Sequence, residues 1–231
     1  MSANPIRDAD ARARGAIFKR LRAAPAGEPV AVPDVAGYYA ARAVPQDESR
    51  TARFIRHAQS WRAEVVETTP ADWPQALAGV FADKRPARLL LGRGTAIAET
   101  VAGLLPAEQL RWYDEPLAGI KKELFDEVDA GITTTVGAVA ETGSLLLHPT
   151  PAEPRTLSLI PPLHIAVLHE RQIFETLHEA MSTQRWTDAM PTNVLMITGP
   201  SKTADIQRVL VYGAHGPKEL VILLIRDGGG A

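Results

Sequence analysis

The chain has 231 residues, of which 45% are apolar, and a formal net charge of −2 at pH 7. This length and apolar content allow a sizeable core, and the near-zero charge argues against a nucleic-acid-binding protein. The chain has no cysteine, which excludes disulfides, a thiolate nucleophile and a cysteine-ligated iron–sulfur cluster of its own.

The first 45 residues are predicted to form a helical arm. Apolar residues at helical spacing, with arginines on the other faces, predict an amphipathic helix over 5–22, and the prolines and glycine of 23–34 predict a linker. The N-terminus lacks the apolar core of a signal peptide, and no apolar run approaches the ~18 residues that span a bilayer. We therefore expect a soluble cytoplasmic protein with an arm (1–45) and an α/β domain (46–231).

From residue 48 onward, helical and strand-like patterns alternate. Helices are predicted over 48–62, from Thr69, over 95–105, over 117–128, over 170–181 and from about Ser201. Strands are predicted over 64–67, 88–91, 110–113, 164–168, 193–198 and 220–225, with further strand-like segments flanking residue 141. This alternation predicts an α/β sheet, and ligands of such sheets usually bind beyond the carboxyl ends of the strands.

The segment from Gly131 to His148 places a single carboxylate, Glu141, among glycines, hydroxyl residues and small residues. A glycine such as Gly143 permits close approaches that a Cβ would block. We therefore predict that Glu141 contacts a ligand or backbone amides rather than packing in a core, with Gly143 beside it.

A second candidate site is the segment that follows the strand over 193–198. Ser201 is predicted to cap a helix there, which would leave backbone N–H groups free at a positive helix end. Lys202 adds a positive charge and Thr203 a hydroxyl, so the three residues are predicted to hold a carboxylate or phosphate. The alternative is a well-capped helix without a ligand.

Two further residues are candidates for binding or chemistry. His215 lies between two glycines and is able to titrate near neutral pH, which suits acid–base work; its alternative is a turn histidine in solvent. Arg155 offers a planar fork for a carboxylate; its alternative is a surface charge or a partner for Glu153 or Glu141. His164, at the start of a strand, is predicted to be a satisfied structural histidine.

Two further sequence patterns are weaker indications of a binding site. The turn Gly92–Gly94, followed by Asp114 after the next strand, resembles a dinucleotide fingerprint, but Ile97 takes the place of the third glycine. An ordinary strand-to-helix turn is the alternative. Glu175 and His178 have Glu-x-x-His spacing, but one such pair does not make a di-iron site, and no metal site is predicted.

Three segments together carry a family resemblance. They are Gly131–Leu147 with its Ala-Glu-Thr-Gly-Ser motif, Arg155–His164, and Thr198–Asp205 followed by Gly213–Pro217. In this order they resemble the lactate utilization protein C group of the LUD-domain (DUF162) family. The resemblance implies a fold similar to the NagB/RpiA/CoA-transferase group and a role in oxidising L-lactate to pyruvate. It also implies partner proteins that carry iron–sulfur clusters, with no cofactor bound by this chain.

The lead hypothesis is a component of a lactate-oxidising system that binds a small carboxylate or another anion. It requires that Glu141 and the Ser201 segment meet in one hollow, with Glu141 or His215 as the acid–base group if the protein is catalytic. One alternative is a non-catalytic assembly subunit that docks through its arm. Another is an enzyme similar to CoA-transferases or sugar-phosphate isomerases, with Glu141 as nucleophile.

Overall fold

The structure is a computed structural model that describes residues 5–24, 27, 30–42, 47–204 and 210–227. The chain divides into two units, residues 1–43 and 44–231. The first unit contains helix α1 (Pro5–Ala23), which confirms the predicted N-terminal helix, and the short helix α2 (Val35–Ala41). Side chains of α1 such as Ile17 and Leu21 are exposed.

The second unit contains the remaining described helices and strands. Its helices are α3 (Arg50–Ser60), α4 (Trp73–Lys84), α5 (Ala98–Ala102), α6 (Leu117–Asp126), α7 (Thr156–Leu159) and α8 (Leu177–Thr183). Its strands are β1 (Glu64–Thr68), β2 (Leu89–Gly92), β3 (Leu110–Tyr113), β4 (Ala130–Thr134), β5 (Gly137–Val139), β6 (Ser144–Leu147), β7 (Leu163–His169), β8 (Ile173–Phe174), β9 (Leu195–Ile197), β10 (Lys202–Ala204), β11 (Leu210–Tyr212) and β12 (Glu219–Ile225).

Six of these strands form a parallel central sheet in the order β1–β12–β7–β4–β2–β3. A second, mixed sheet has the order β8–β5–β6–β9, and β10 pairs with β11 in an antiparallel hairpin. Helices α4 and α5 pack on one face of the central sheet, and the second sheet and α3 pack on the other. The predicted α/β fold is therefore confirmed.

The last strand shows why the central sheet is easy to predict. Val221, Leu223 and Ile225 face the core shared with α4 and α5, whereas the even-numbered residues of β12 face the second sheet. Because both faces are covered, an apolar residue is favoured at every position, as expected for a strand in a parallel sheet. The predicted strand over 220–225 is thus confirmed and begins one residue earlier.

The predicted helix over 170–181 is wrong in its first half. Residues Glu170–Gln172 form a single 3₁₀ turn, β8 follows, and α8 begins only at Leu177, where the side chain of Thr176 accepts a hydrogen bond from the Glu179 backbone. Ile173 and Phe174 are both buried but belong to cores on opposite sides of the second sheet. Side chains that alternate between two faces have the period of a strand rather than of a helix.

The predicted helix from Ser201 is also wrong. Lys202–Ala204 pair with Leu210–Tyr212 in an antiparallel register, and residues 205–209, including Asp205 of the predicted motif, lie outside the described residues. The Ser201 carbonyl accepts the Gly213 N–H at 2.9 Å, so it is paired across the hairpin rather than within a helix.

Two other predicted helices have different boundaries. The sequence predicts Thr69 as a helix cap, but α4 begins at Trp73. Thr69 instead closes a turn in which its hydroxyl and carbonyl accept the Asp72 N–H. The helix predicted over 95–105 is shorter in the structure, where α5 covers only Ala98–Ala102.

None of the helices within the described residues is both long and apolar enough to cross a bilayer.

Candidate functional site

A cavity of about 230 Å³, here called the Ser201 cavity, lies where the second sheet meets the amino-terminal ends of β7 and β12. The residues that matter for its chemistry are Ser158, His164, Thr198, Ser201, His215 and Leu220. His164 and Leu220 are register partners near the starts of their strands. The sequence predicts ligand binding at the carboxyl edge of the sheet. The cavity lies at the opposite, amino-terminal edge.

Part of the carboxyl edge is covered by the loop that precedes α7. A Cβ on Gly92, at the end of β2, would lie within 3.0 Å of the Ala152 backbone. The Glu153 carboxylate accepts hydrogen bonds from the Thr134 N–H at 2.9 Å and from the Thr134 hydroxyl at the end of β4. The loop is thus held against the ends of two central strands.

Ser201 and His215 are brought together by backbone hydrogen bonds between their two segments. The Ser201 N–H donates to the Pro217 carbonyl at 2.9 Å, and the Gly213 N–H donates to the Ser201 carbonyl at the same distance. The Ser201 hydroxyl and the exposed His215 imidazole have no described hydrogen-bond partner and line the same cavity. Two residues predicted from separate motifs therefore share one site.

His164, predicted from the sequence to be a satisfied structural histidine, has only one of its two ring nitrogens paired. It is fully buried, its Nε2 lies 2.8 Å from the Thr133 hydroxyl oxygen, and its Nδ1 has no hydrogen-bond partner. Burial lowers the pKa of His164 to about 3, so the imidazole is neutral at physiological pH. Buried polar atoms are nearly always paired, so this unpaired Nδ1, which has less than 1 Å² of exposed surface, is an exception in the fold. The sequence signal was one polar residue in the otherwise apolar run 163–168.

The rest of the predicted anion cradle does not line this cavity. Lys202 is exposed, with its Nζ 5.6 Å from the centroid of the Trp61 ring, and it lines a neighbouring groove. Thr203 pairs with Val211 within the hairpin. Because successive residues of an extended chain point to opposite sides, Ser201 and Lys202 are unable to serve one small ligand as they would at a helix end.

Glu141 and Gly143 lie at the tip of the β5–β6 hairpin and do not line the Ser201 cavity. Glu141 is half-buried, and its N–H donates to the Glu175 carbonyl at 3.0 Å. Gly143 has φ +69°, and a Cβ there would lie within 3.0 Å of the backbone of Ala58 in α3. The hollow predicted to join Glu141 to Ser201 is therefore not formed by this cavity.

A chain of hydroxyl groups nevertheless links the hairpin tip to the cavity wall. The Thr142 and Ser144 hydroxyl oxygens are 2.8 Å apart, and the Ser144 and Thr198 hydroxyl oxygens are 2.6 Å apart. Thr198 lines the Ser201 cavity. The tip is thus connected to the cavity through Thr198, a residue of the cavity wall.

Arg155 lies at the start of α7, on the carboxyl-edge side of the sheet. Its carbonyl accepts the Ser158 hydroxyl at 3.1 Å, and its exposed side chain forms no ion pair with a described residue. The recess that it lines has a volume of only about 10 Å³ and borders Thr134 and Glu153. Such a recess has room for about one water molecule, not for an organic acid.

The Gly92–Gly94 turn carries an internal ion pair. Arg93 bonds Asp114 at 2.8 Å and lies over the Trp112 ring at 4.6 Å. That hydrogen bond from Arg93 lowers the pKa of the Asp114 carboxyl. Asp114, the acidic residue of the weak dinucleotide pattern, is thus paired with Arg93 of the same turn.

Across the part of the chain that the structure describes, no three acidic or histidine side chains cluster closely enough to hold a metal ion.

Comparison with known proteins gives consistent family and fold matches. The sequence model described as LUD domain matches residues 51–225. An uncharacterized protein of Neisseria meningitidis serogroup B is 34% identical over 92% of this chain and 93% of its own. The crystal structure of a DUF162 family protein from Deinococcus radiodurans covers 77% of this chain and 99% of its own, with a TM-score of 0.58 and 24% identity, and shows the same fold.

Other relatives carry a functional name. A protein of Exiguobacterium sp. named lactate utilization protein C is 31% identical over 52% of this chain and 54% of its own length. A Deinococcus radiodurans protein of the same name is 31% identical over 71% of this chain and 81% of its own. The chain therefore spans about half of the first of these proteins and most of the second.

Proposed function

The chain belongs to the LUD domain family, and on that premise we propose that it acts in lactate utilization with the Ser201 cavity as its small-acid site. Relatives named lactate utilization protein C support the general role. The observation that carries the site is that two polar groups without described partners, the Ser201 hydroxyl and the His215 imidazole, line one cavity. Buried His164 is a third polar residue of the same lining.

The size of the cavity favours a small ligand. Pockets for drug-sized ligands measure roughly 300–1,000 Å³, and the Ser201 cavity, at about 230 Å³, lies below that range. Lactate and pyruvate are acids of only a few non-hydrogen atoms. Each has a carboxylate, a neutral hydroxyl or keto oxygen on the adjacent carbon, and a methyl group at the other end, which matches a cavity lined by both polar and apolar side chains.

The electrostatics of the cavity give the acid an orientation. A carboxylate is costly to bury without a paired charge, so the carboxylate belongs beside exposed His215 and Ser201. The hydroxyl or keto oxygen, on the carbon next to the carboxylate, then lies on the same side of the cavity, and the methyl group points towards the apolar lining. With a pKa of about 3, buried His164 is too weak a base to remove a hydroxyl proton, so His215, on the side of the carboxylate and the hydroxyl, is the acid–base candidate.

The proposal is tested by calorimetric titration of the protein with L-lactate and pyruvate. Removing a hydrogen bond to a charged group costs about 1.5–3 kcal/mol, so Ser201→Ala is expected to weaken binding of either acid by about ten- to a hundredfold. Thr203→Ala is the matched control, because it removes a neighbouring hydroxyl that does not line the cavity. Equal losses in the two variants, or no binding of either acid to the wild type, would contradict the proposal.

Lactate oxidation also needs an electron acceptor, and we place it in partner proteins. The chain has no cysteine and is therefore unable to hold an iron–sulfur cluster through thiolates. Iron–sulfur partner proteins complete the system in this proposal, and this chain supplies the acid-binding site.

An assembly role is the second candidate, and one observation favours it. On α1, Ile17, Phe18 and Leu21 are 58%, 43% and 65% exposed, and exposed apolar residues often mark partner surfaces. An assembly subunit would bind partners through this helix and bind neither acid. No contact described for Glu141 specifically favours the CoA-transferase alternative.

A further inference from the structure

A second binding region, here called the aromatic–cationic groove, adjoins the Ser201 cavity. It consists of two neighbouring cavities of about 240 and 270 Å³ that share three lining residues. The side chains that define it are Trp61, Arg62, Pro200, Lys202, Tyr212 and Lys218. Thr198 lines both this groove and the Ser201 cavity, so the two sites share a wall.

Two aromatic rings in the groove each carry a cation. The Arg62 guanidinium lies 4.5 Å from the centroid of the Tyr212 ring, and the Lys202 ammonium lies 5.6 Å from that of Trp61. Trp61 is 45% exposed, and neither its indole N–H nor the Tyr212 hydroxyl has a described partner. The groove therefore presents flat apolar surface and free hydrogen-bonding groups together.

The cations of the groove are not neutralised by described acids. Arg62, Lys202 and Lys218 are exposed and form no salt bridge with a described carboxylate. The two acids that line the groove, Glu64 and Glu219, bond instead to Lys84 at 2.7 and 3.0 Å. Three positive side chains are thus left to face an incoming anion.

The end of α3 places Arg62 at the groove. Arg62 follows the end of α3 with φ +67°, a left-handed conformation that glycine adopts without strain. Its N–H donates to the Gln59 carbonyl at 2.9 Å, and the Ala63 N–H donates to that of Ala58, as in a usual helix ending. Arg85 and Arg185 also have positive φ values, so this conformation positions Arg62 without identifying a ligand.

We propose that the aromatic–cationic groove binds a nucleotide, with its planar base against the aromatic and guanidinium surfaces and its phosphates against Arg62, Lys202 and Lys218. Arginine pairs with phosphate oxygens in a planar fork and also stacks on rings. A base stacks on aromatic side chains whatever its sequence identity. An exposed cation–π contact such as that of Lys202 is weak, so a base readily displaces the ammonium from Trp61 and leaves it to a phosphate.

The ligand class is tested with ADP, adenosine and inorganic pyrophosphate as calorimetric probes of the full chain. ADP carries both the ring and the phosphates and is expected to bind at least about tenfold more tightly than either part. Pyrophosphate binding as tightly as ADP would overturn the ring contact, and adenosine binding as tightly would overturn the phosphate contact. Absence of ADP binding, or tight binding of only a single-stranded oligonucleotide, would overturn the proposal as a whole.

The location of the site is tested with Arg62→Gly, which removes the cation while placing a favourable residue in the left-handed position. It is expected to keep the fold and weaken ADP binding tenfold or more. Arg85→Gly is the matched control, because Arg85 also ends a helix with a positive φ of 48° but lies outside the groove. ADP binding that is unchanged in both Arg62→Gly and Lys202→Ala would overturn the assignment.

This inference is independent of the small-acid site, and the two are separable by experiment. Ser201→Ala is expected to leave ADP affinity unchanged, and Arg62→Gly is expected to leave lactate and pyruvate affinity unchanged. A negative result for one of the two proposed sites therefore does not contradict the other. If Ser201→Ala weakened ADP binding as much as Arg62→Gly does, the separate nucleotide site would be overturned.

Discussion

Replacing Gly143 by alanine is expected to lower the free energy of unfolding by about 2–5 kcal/mol, the sum of a left-handed backbone penalty and overpacking. Gly143 has φ +69°, and the added Cβ would lie within 3.0 Å of backbone atoms of Ala58 and of the Cβ of His57 in α3. Backbone atoms of a helix move only together, so the hairpin tip must separate from α3. Relative to a typical total stability of about 5–15 kcal/mol, this is a large loss.

The matched control for that variant is Gly94→Ala. Gly94 has a similar φ of +74°, but a Cβ there meets no atom within 4 Å. It should therefore lose only the backbone part, about 1–2 kcal/mol. Urea unfolding with linear extrapolation measures both losses, and equal values would contradict the close packing of the tip on α3. Gly143 is accordingly a structural residue in this fold.

Stability of the wild-type protein is expected to fall as the pH drops below about 6.5, because His164 is unable to take up a proton while buried. Its pKa is about 3 in the folded protein and about 6.5 when exposed. Between these values the unfolded chain binds the extra proton, so the unfolded state gains about 1.4 kcal/mol per pH unit. From pH 6.5 to 4.5 the expected loss from this residue is about 2–3 kcal/mol, and above pH 6.5 there is none.

The His164→Gln variant isolates this effect. Glutamine does not ionise in this range and retains a polar group to pair with the hydroxyl of Thr133. The difference in unfolding free energy between wild type and variant should change by about 2–3 kcal/mol between pH 6.5 and 4.5, which urea unfolding at each pH measures. A constant difference would mean that His164 titrates normally and is not sealed from water.

Elements with a strong local pattern were predictable from the sequence. The continuous apolar run of β12 predicts a strand covered on both faces, and the apolar stripe of α3, with Phe54 and Ala58 fully buried, predicts a helix packed on a core. Both patterns are set by burial on faces that the sequence period reveals. The family resemblance, which the match over residues 51–225 confirms, predicts the overall fold.

Elements that depend on distant pairing were not predictable. The Gly-Pro-Ser-Lys sequence before residue 203 has the composition of a helix start, but Lys202–Ala204 pair instead with Leu210–Tyr212. Likewise, β8 exists because Ile173 and Phe174 pair with β5. Local sequence gives the propensity of a segment, and the partner strand, which comes from elsewhere in the chain, decides the outcome.

The candidate site likewise combines features that the local sequence predicts with features that depend on distant contacts. Ser201 and His215 were candidates from their motifs, but only the hydrogen bonds of Ser201 to Pro217 and Gly213 bring them to one cavity. The sequence predicts a satisfied His164, because a sequence does not show that one ring nitrogen has a partner and the other has none. The mismatch between burial and pairing at His164 is visible only in three dimensions.

The most direct test of the small-acid site is a crystal structure of the protein grown with saturating pyruvate. We expect pyruvate in the Ser201 cavity, with its carboxylate within hydrogen-bonding distance of the Ser201 hydroxyl and near His215. Pyruvate bound instead beside Arg155 or Glu141, or a Ser201 cavity that holds only water at saturation, would contradict the proposed site.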